Sequence, residues 1–139
     1  MLALLLLPIG LAAPLVAAPA SCSGPDPAIT GAVVKSQTMS AGGLNTYTIA
    51  ITVQNVGSKG QPANLLQSVE VMQNGDHVDQ KGLQPLRPGQ RQTVLYTFTR
   101  SHGAAPHTTR LTFALAQRTS SIPGPQDCNA ANDQFRLTV

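Results

Sequence analysis

Between residues 46 and 55 hydrophobic and polar side chains alternate almost one for one. Tyr47, Ile49, Ile51 and Val53 fall on one side, and Thr46, Thr48, Thr52 and Gln54 on the other. A period of two marks a strand with one face in a core, and the β-branched residues suit it. The alternation recurs downstream. Val94, Tyr96 and Phe98 alternate with Thr93, Thr97 and Thr99 within 90–100. Leu111, Phe113 and Leu115 alternate within 108–117, and Phe135, Leu137 and Val139 within 134–139. A weaker strand is expected over 28–35, with Ile29, Val33 and Val34 as its apolar members and Gly31 as a bulge.

Segments 67–73 and 76–81 flank Asn74-Gly75. Asn-Gly between strand runs predicts a type I′ hairpin, because both central residues need positive φ. A two-residue loop sets Gln73 opposite Asp76, Met72 opposite His77, and Val71 opposite Val78, pairing two valines on the core face. Further turns are read at 40–45, 57–62, Leu86-Arg-Pro-Gly89, 101–106 and 120–131. No segment keeps a helical period. Seven strand segments with turns between them predict an all-β protein, a seven-stranded immunoglobulin-like antiparallel β-sandwich. A small barrel is the alternative.

Residues 1–20 break the alternation. They carry no charge, run apolar through Leu2–Leu7 and again to Val16, and end in Ala18-Pro19-Ala20. That small-x-small ending reads as a cleavable signal peptide cut after Ala20. Pro8, Gly10 and Pro14 work against a stable membrane span in a stretch of bare spanning length; an N-terminal anchor is the other reading. Residues 21–27 are then a short linker, and 28–139 the domain. The expected localisation is exported, periplasmic or secreted, with no membrane span after cleavage.

Export changes the reading of the cysteines. Only Cys22 and Cys128 are present, and an oxidising compartment favours joining them. The loop closed would be about a hundred residues long, worth up to about 4.7 kcal/mol in the chain-entropy model. The rival reading makes Cys22 a lipid-anchored N-terminus.

Composition adds exclusions. Charged residues are 11% of the chain, the net charge is +3, and aromatics are 4% with no Trp. The bases are scattered singly, without the basic cluster or stacking aromatics a nucleic-acid surface uses, so no nucleic-acid partner is expected. The few acids and three histidines sit in no catalytic motif; the domain is expected not to be an enzyme and to need no cofactor. His102 and His107, flanking a loop beside Arg100, are the candidate binding residues, with loops 101–107 and 57–62 as candidate surfaces. His77 across from Met72 offers soft-metal ligands, and Asp127, Asn129, Asn132 and Asp133 offer oxygens to calcium. In each case the plainer reading is preferred, a cross-strand pair and an Asx turn, so no metal site is assigned.

Several of these pieces stand in one order: an opening strand after Pro27; a strand ending Val53-Gln-Asn55-Val-Gly57, then Ala63; the Asn-Gly hairpin; Leu86-Arg-Pro-Gly89 before a Val/Thr-rich strand; and Asp127-Cys-Asn-Ala-Ala-Asn132-Asp133 before the last strand. The chain resembles the CARDB domain, a cell-adhesion-related module of bacterial exported proteins, over nearly all of 21–139. It departs from that pattern in having fewer acidic residues before the last strand, with Cys128 intruding, and in standing as a single copy. The resemblance implies a seven-stranded sandwich and a non-enzymatic interaction role, and transfers no functional residues. The function expected is thus an exported cell-envelope module that binds a protein or glycan, with a small periplasmic metal- or ligand-binding protein as the alternative.

Overall fold

The computed structural model describes residues 23–103, 105 and 107–139. The expected signal segment 1–20 and Cys22 lie outside the described residues. Seven strands follow in order: β1 (Pro27–Met39), β2 (Leu44–Asn55), β3 (Leu66–Gln73), β4 (Asp76–Leu83), β5 (Arg91–Ser101), β6 (Arg110–Arg118) and β7 (Gln134–Thr138). A single 3₁₀ turn, Ala130–Asn132, precedes β7. The strands divide into a three-stranded sheet, β1-β2-β5, and a four-stranded sheet, β4-β3-β6-β7. All pairings are antiparallel. Two separate sheets make a sandwich, not a barrel. Because β4 stays beside β3, the split differs from that of antibody constant domains, whose fourth strand joins the sheet of the first.

The alternation places the core as expected. In β2 the strict one-in-one-out order sends Tyr47, Ile49, Ile51 and Val53 inward. Facing them are Val69 and Val71 of β3 and Leu111 and Phe113 of β6. Tyr47, Phe98 and Tyr96 form a run of stacked rings, with centroids 5.0 and 6.0 Å apart. Each such pair adds roughly 0.5–1.5 kcal/mol beyond area burial.

Two expectations fail, both through bulges. The turn residues Asn74 (φ 53°) and Gly75 (φ 96°) adopt the positive φ of a type I′ turn, and Gln73 pairs with Asp76 and Met72 with His77. The register then shifts, so that Val71 faces Asp79 instead of Val78. Val78 is the extra residue and is 46% exposed. In β1 register shifts fall at Ile29/Gly31 and Val34/Ser36. The first turns Ala32 inward beside Ile29 and leaves Val33 61% exposed; Val34 is exposed too. One inserted residue reverses the faces of all that follow. β1 also runs on to Met39, past the apolar stretch, because Ser36–Met39 keep their ladder with Tyr47, Thr48, Thr46 and Asn45.

One pole of the sandwich is built around Asn55, the wholly buried last residue of β2 (0% exposed). Its Oδ1 accepts from Asp26 N (3.1 Å) and Gly57 N (3.0 Å). Its Nδ2 donates to Lys59 O (2.8 Å) and Leu86 O (3.0 Å). Its main chain bonds Gln90 O and Gly89 N. A buried amide costs free energy unless every group is paired, and here the pairing joins the start of β1 to two turns. Gly57 lies against the same segment: a Cβ there would come 2.2 Å from Gly24 O, so any side chain forces the backbones apart. Nearby, Gln61 and Gln67 exchange amide bonds of 2.8 and 2.7 Å. Gln67 also reaches Gln84 O, and Gln61 accepts from Leu86 N.

Candidate functional site

The opposite pole carries the histidines. β2 begins there at Leu44 and β5 ends there at Ser101, paired with each other. The hairpin turn Asn74-Gly75 reaches the same end, with Asn74 N donating to Arg110 O. β7 finishes there too, as Val139 and Thr109 exchange main-chain bonds of 2.8 and 2.9 Å.

Arg100 organises this pole. The alternation of β5 turns it inward with Tyr96 and Phe98, and its guanidinium lies over the Tyr47 ring, 4.9 Å from the centroid. Nη2 donates to Tyr47 Oη (2.9 Å). Nη1 donates to Thr109 Oγ1 (3.0 Å) and Val139 O (2.6 Å). A guanidinium on a ring face, held at its edge by three acceptors, has a fixed orientation. Gln37 Nε2 donates to the other side of Tyr47 Oη (3.4 Å).

Arg100, Tyr47 and Gln37, with Asn45, His102 and His107, line an open cleft of about 320 Å³. Both histidines singled out by sequence therefore share one cleft. His102 is held by its main-chain N–H to Gly43 O (2.7 Å), and its Nδ1 lies 3.5 Å from Asn45 Nδ2. Asn45 is only 5% exposed, and its Oδ1 has no hydrogen-bond partner among the described residues. Among the described residues, no Asp or Glu side chain lines this cleft or the two adjoining ones at this pole, one of which takes in Arg110 and Arg136. The electrostatics favour an anionic group.

Sequence reasoning missed four of these residues. Tyr47 read only as core, Asn45 as turn, Arg100 as a neighbour of the loop, and Gln37 lay beyond the strand expected over 28–35. The legible signal was an arginine on the inward parity of an otherwise apolar strand, which needs a buried partner.

The other candidates lie elsewhere. The 57–62 loop is at the Asn55 pole, with Ser58 N and Lys59 N donating to Gly24 O, so the two candidate loops do not form one surface. His77 and Met72 stand opposite each other on the hairpin. Asp127 Oδ1 accepts from Asn129 N (2.9 Å), and Asn129 caps the 3₁₀ turn through Ala131 N (3.3 Å): an Asx turn. Asn132 Nδ2 donates to Asp26 Oδ1 (2.9 Å). Burial pushes the Asp133 carboxyl up to about 7, helped by a hydrogen bond to Asp127 and the charges of Asp127 and Asp26. Among the described residues, no three His, Cys, Asp or Glu side chains are grouped to hold a metal ion. Among the same residues, no helix is long and apolar enough to cross a membrane.

Fold and site together define an immunoglobulin-like sandwich with a basic cleft at one pole. Among sandwiches, the architecture is that of CARDB domains. The crystal structure of the CARDB domain of a Pyrococcus furiosus protein, in complex with di-metal ions, superposes at a TM-score of 0.58 with 16% identity, covering 88% of this chain and 92% of that one. A solution structure of a domain of a putative cell surface protein from Methanosarcina acetivorans gives 0.55 and 18%, covering 84% and 90%. At such identities the likeness is one of fold. No family model matches the sequence, and no curated protein matches it.

Proposed function

We propose that the chain is an exported, non-enzymatic cell-envelope module that recognises an envelope protein or glycan through an anionic group bound in the Arg100 cleft. The observation that carries the reading is the cleft itself: a ring-stacked, hydrogen-bonded arginine with His102 and His107 beside it and no Asp or Glu side chain among its described lining residues. The CARDB-like fold and the likeness to a domain of a putative cell surface protein from Methanosarcina acetivorans support an envelope setting, as does the signal-like segment 1–20. His102 and His107 line the cleft beside Arg100 and add hydrogen-bonding groups for an anion.

The test presents the protein to immobilised acidic and neutral polysaccharides, and to acidic and neutral peptides. Retention on acidic members only, lost in His102→Ala/His107→Ala and weakening as salt rises, is the expected outcome. Retention by the acidic polysaccharides or by the acidic peptides tells glycan from protein. Equal retention of the variant sinks the reading.

A small metal-binding protein has one observation in its favour, the direct apposition of Met72 and His77. Titration calorimetry with copper and zinc decides it, since absence of heat at micromolar concentration removes it.

A further inference from the structure

A sandwich of two open sheets has four edges, here β1, β5, β4 and β7. Unpaired strand edges invite pairing with another chain, and proteins guard them with bulges, charges, prolines or shortness. Three of these edges are guarded. β1 starts at Pro27, carries Lys35 and is broken by two register shifts. β4 is bulged at Val78 and bears the Asp79–Lys81 ion pair (2.7 Å). β7 has five residues and Arg136 among them.

β5 carries charge only near its two ends, at Arg91 and Arg100, and has no bulge. It is 11 residues long, and it pairs with β2 residue for residue without a shift. From Gln92 to Thr99 it has no charge and no proline. Thr, Val, Tyr and Phe, which dominate it, are the residues that favour strands. Its outward row is Thr93, Leu95, Thr97 and Thr99, with Leu95 44% exposed.

We infer that the β5 edge pairs antiparallel with β5 of a second copy of this chain, joining two three-stranded sheets into one of six strands. The occupant is argued from register. Opposed residues in an antiparallel pair share a face, so the two-fold axis must keep inward residues opposite inward ones. Pairing over the full Arg91–Ser101 length puts the axis at Tyr96, the middle residue. Val94 then meets Phe98, Leu95 meets Thr97, and Thr93 meets Thr99. Arg91 lies opposite Ser101 and Arg100 opposite Gln92, so no like charges face each other. The contact is isologous and closes at two copies. A strand edge is small against the roughly 1,200–2,000 Å² of stable complexes, so assembly belongs to high concentration or a crowded surface.

Sedimentation of residues 21–139 across concentrations up to about 1 mM, where even weak association registers, is the experiment. The wild type is expected to pass from monomer to dimer. Leu95→Lys/Thr97→Lys sets lysines opposite lysines on an exposed face, and is expected to abolish the dimer while leaving circular dichroism and melting temperature unchanged. Mixed with Leu95→Glu/Thr97→Glu, it should form a heterodimer. A wild type that stays monomeric throughout overturns self-pairing and leaves the edge to a segment of another protein. A dimer that survives the lysines, or a mixture that fails to assemble, overturns this edge or this register.

Discussion

Asn55 shows how much one side chain can organise. Its amide bonds four main-chain groups that no strand ladder could reach, and Gly57 lets the entering chain lie against it. From sequence the Asn-Val-Gly triplet read as the end of a strand, which is correct locally; that the amide was buried depended on Asp26 and Leu86, both far away along the chain. Asp133 has a consequence for solution behaviour. Its carboxyl is raised to about 7 beside Asp127 and Asp26. For a group raised on folding, the stabilisation is full below the unfolded value, near 3.8, and is lost as pH rises through about 7. The domain should therefore lose stability between about pH 4 and pH 8, by about 1–2 kcal/mol from this group once solvent screening is allowed for. Asp133→Asn should flatten that part of the profile and raise stability at pH 8. Urea titrations of both proteins at pH 5 and pH 8 check it, and an equal pH slope in the two would show that Asp133 does not titrate this way.

At the scale of elements, strands were legible because period-two alternation survives wherever a strand is regular. β2, β5 and β6 were read nearly residue for residue. The failures sit where one residue is inserted. Gly31 flagged a bulge in β1, but its effect on the faces of Val33 and Val34 depended on the partner strand. Nothing in Val78 distinguishes it from a core valine, since the bulge that expels it is set by the pairing of β3 with β6 as much as by the hairpin turn. The two valines of that hairpin should therefore differ. Val71→Ala should cost about 2–3 kcal/mol, as a truncation in a fully buried site. Val78→Ala should stay within about 0.5 kcal/mol, as a surface change. Chemical denaturation of the two variants compares them directly, and similar losses would argue for the unbulged register. The linked glutamines 61 and 67 were illegible for a different reason: neutral amides show no sign in sequence of whether they will face water or each other.

For the whole molecule, the fold was read from pattern, while the cleft was read only in part. His102 and His107 were visible as a flanking pair, but their company of Arg100, Tyr47 and Asn45 comes from two paired strands, β5 and β2. The Cys22–Cys128 bond remains a proposal, because Cys22 lies outside the described residues. What supports it is position: Cys128 Sγ lies 3.2 Å from Pro25 O, and Cys128 N donates to the same oxygen (3.2 Å), three residues along the chain from Cys22. Intact mass of the protein recovered from cells should be two hydrogens below the reduced value, and reduction should cost about 2–4 kcal/mol of stability. An acyl increment on Cys22 would instead establish the lipid anchor.

The poles have a mechanical consequence. The described chain enters at Gly24, beside Asn55, and leaves at Val139, beside Arg100. β1 and β7 both run from the first pole to the second, and β2, at 12 residues, spans about 40 Å between them. Tension applied to the two ends acts along the strands. It must shear the β1–β2 ladder with many bonds loaded together, where a sideways pull would unzip them singly. Strung into a longer chain, such a unit would be a stiff spacer that resists stretching, with its basic cleft at the pole where the chain leaves.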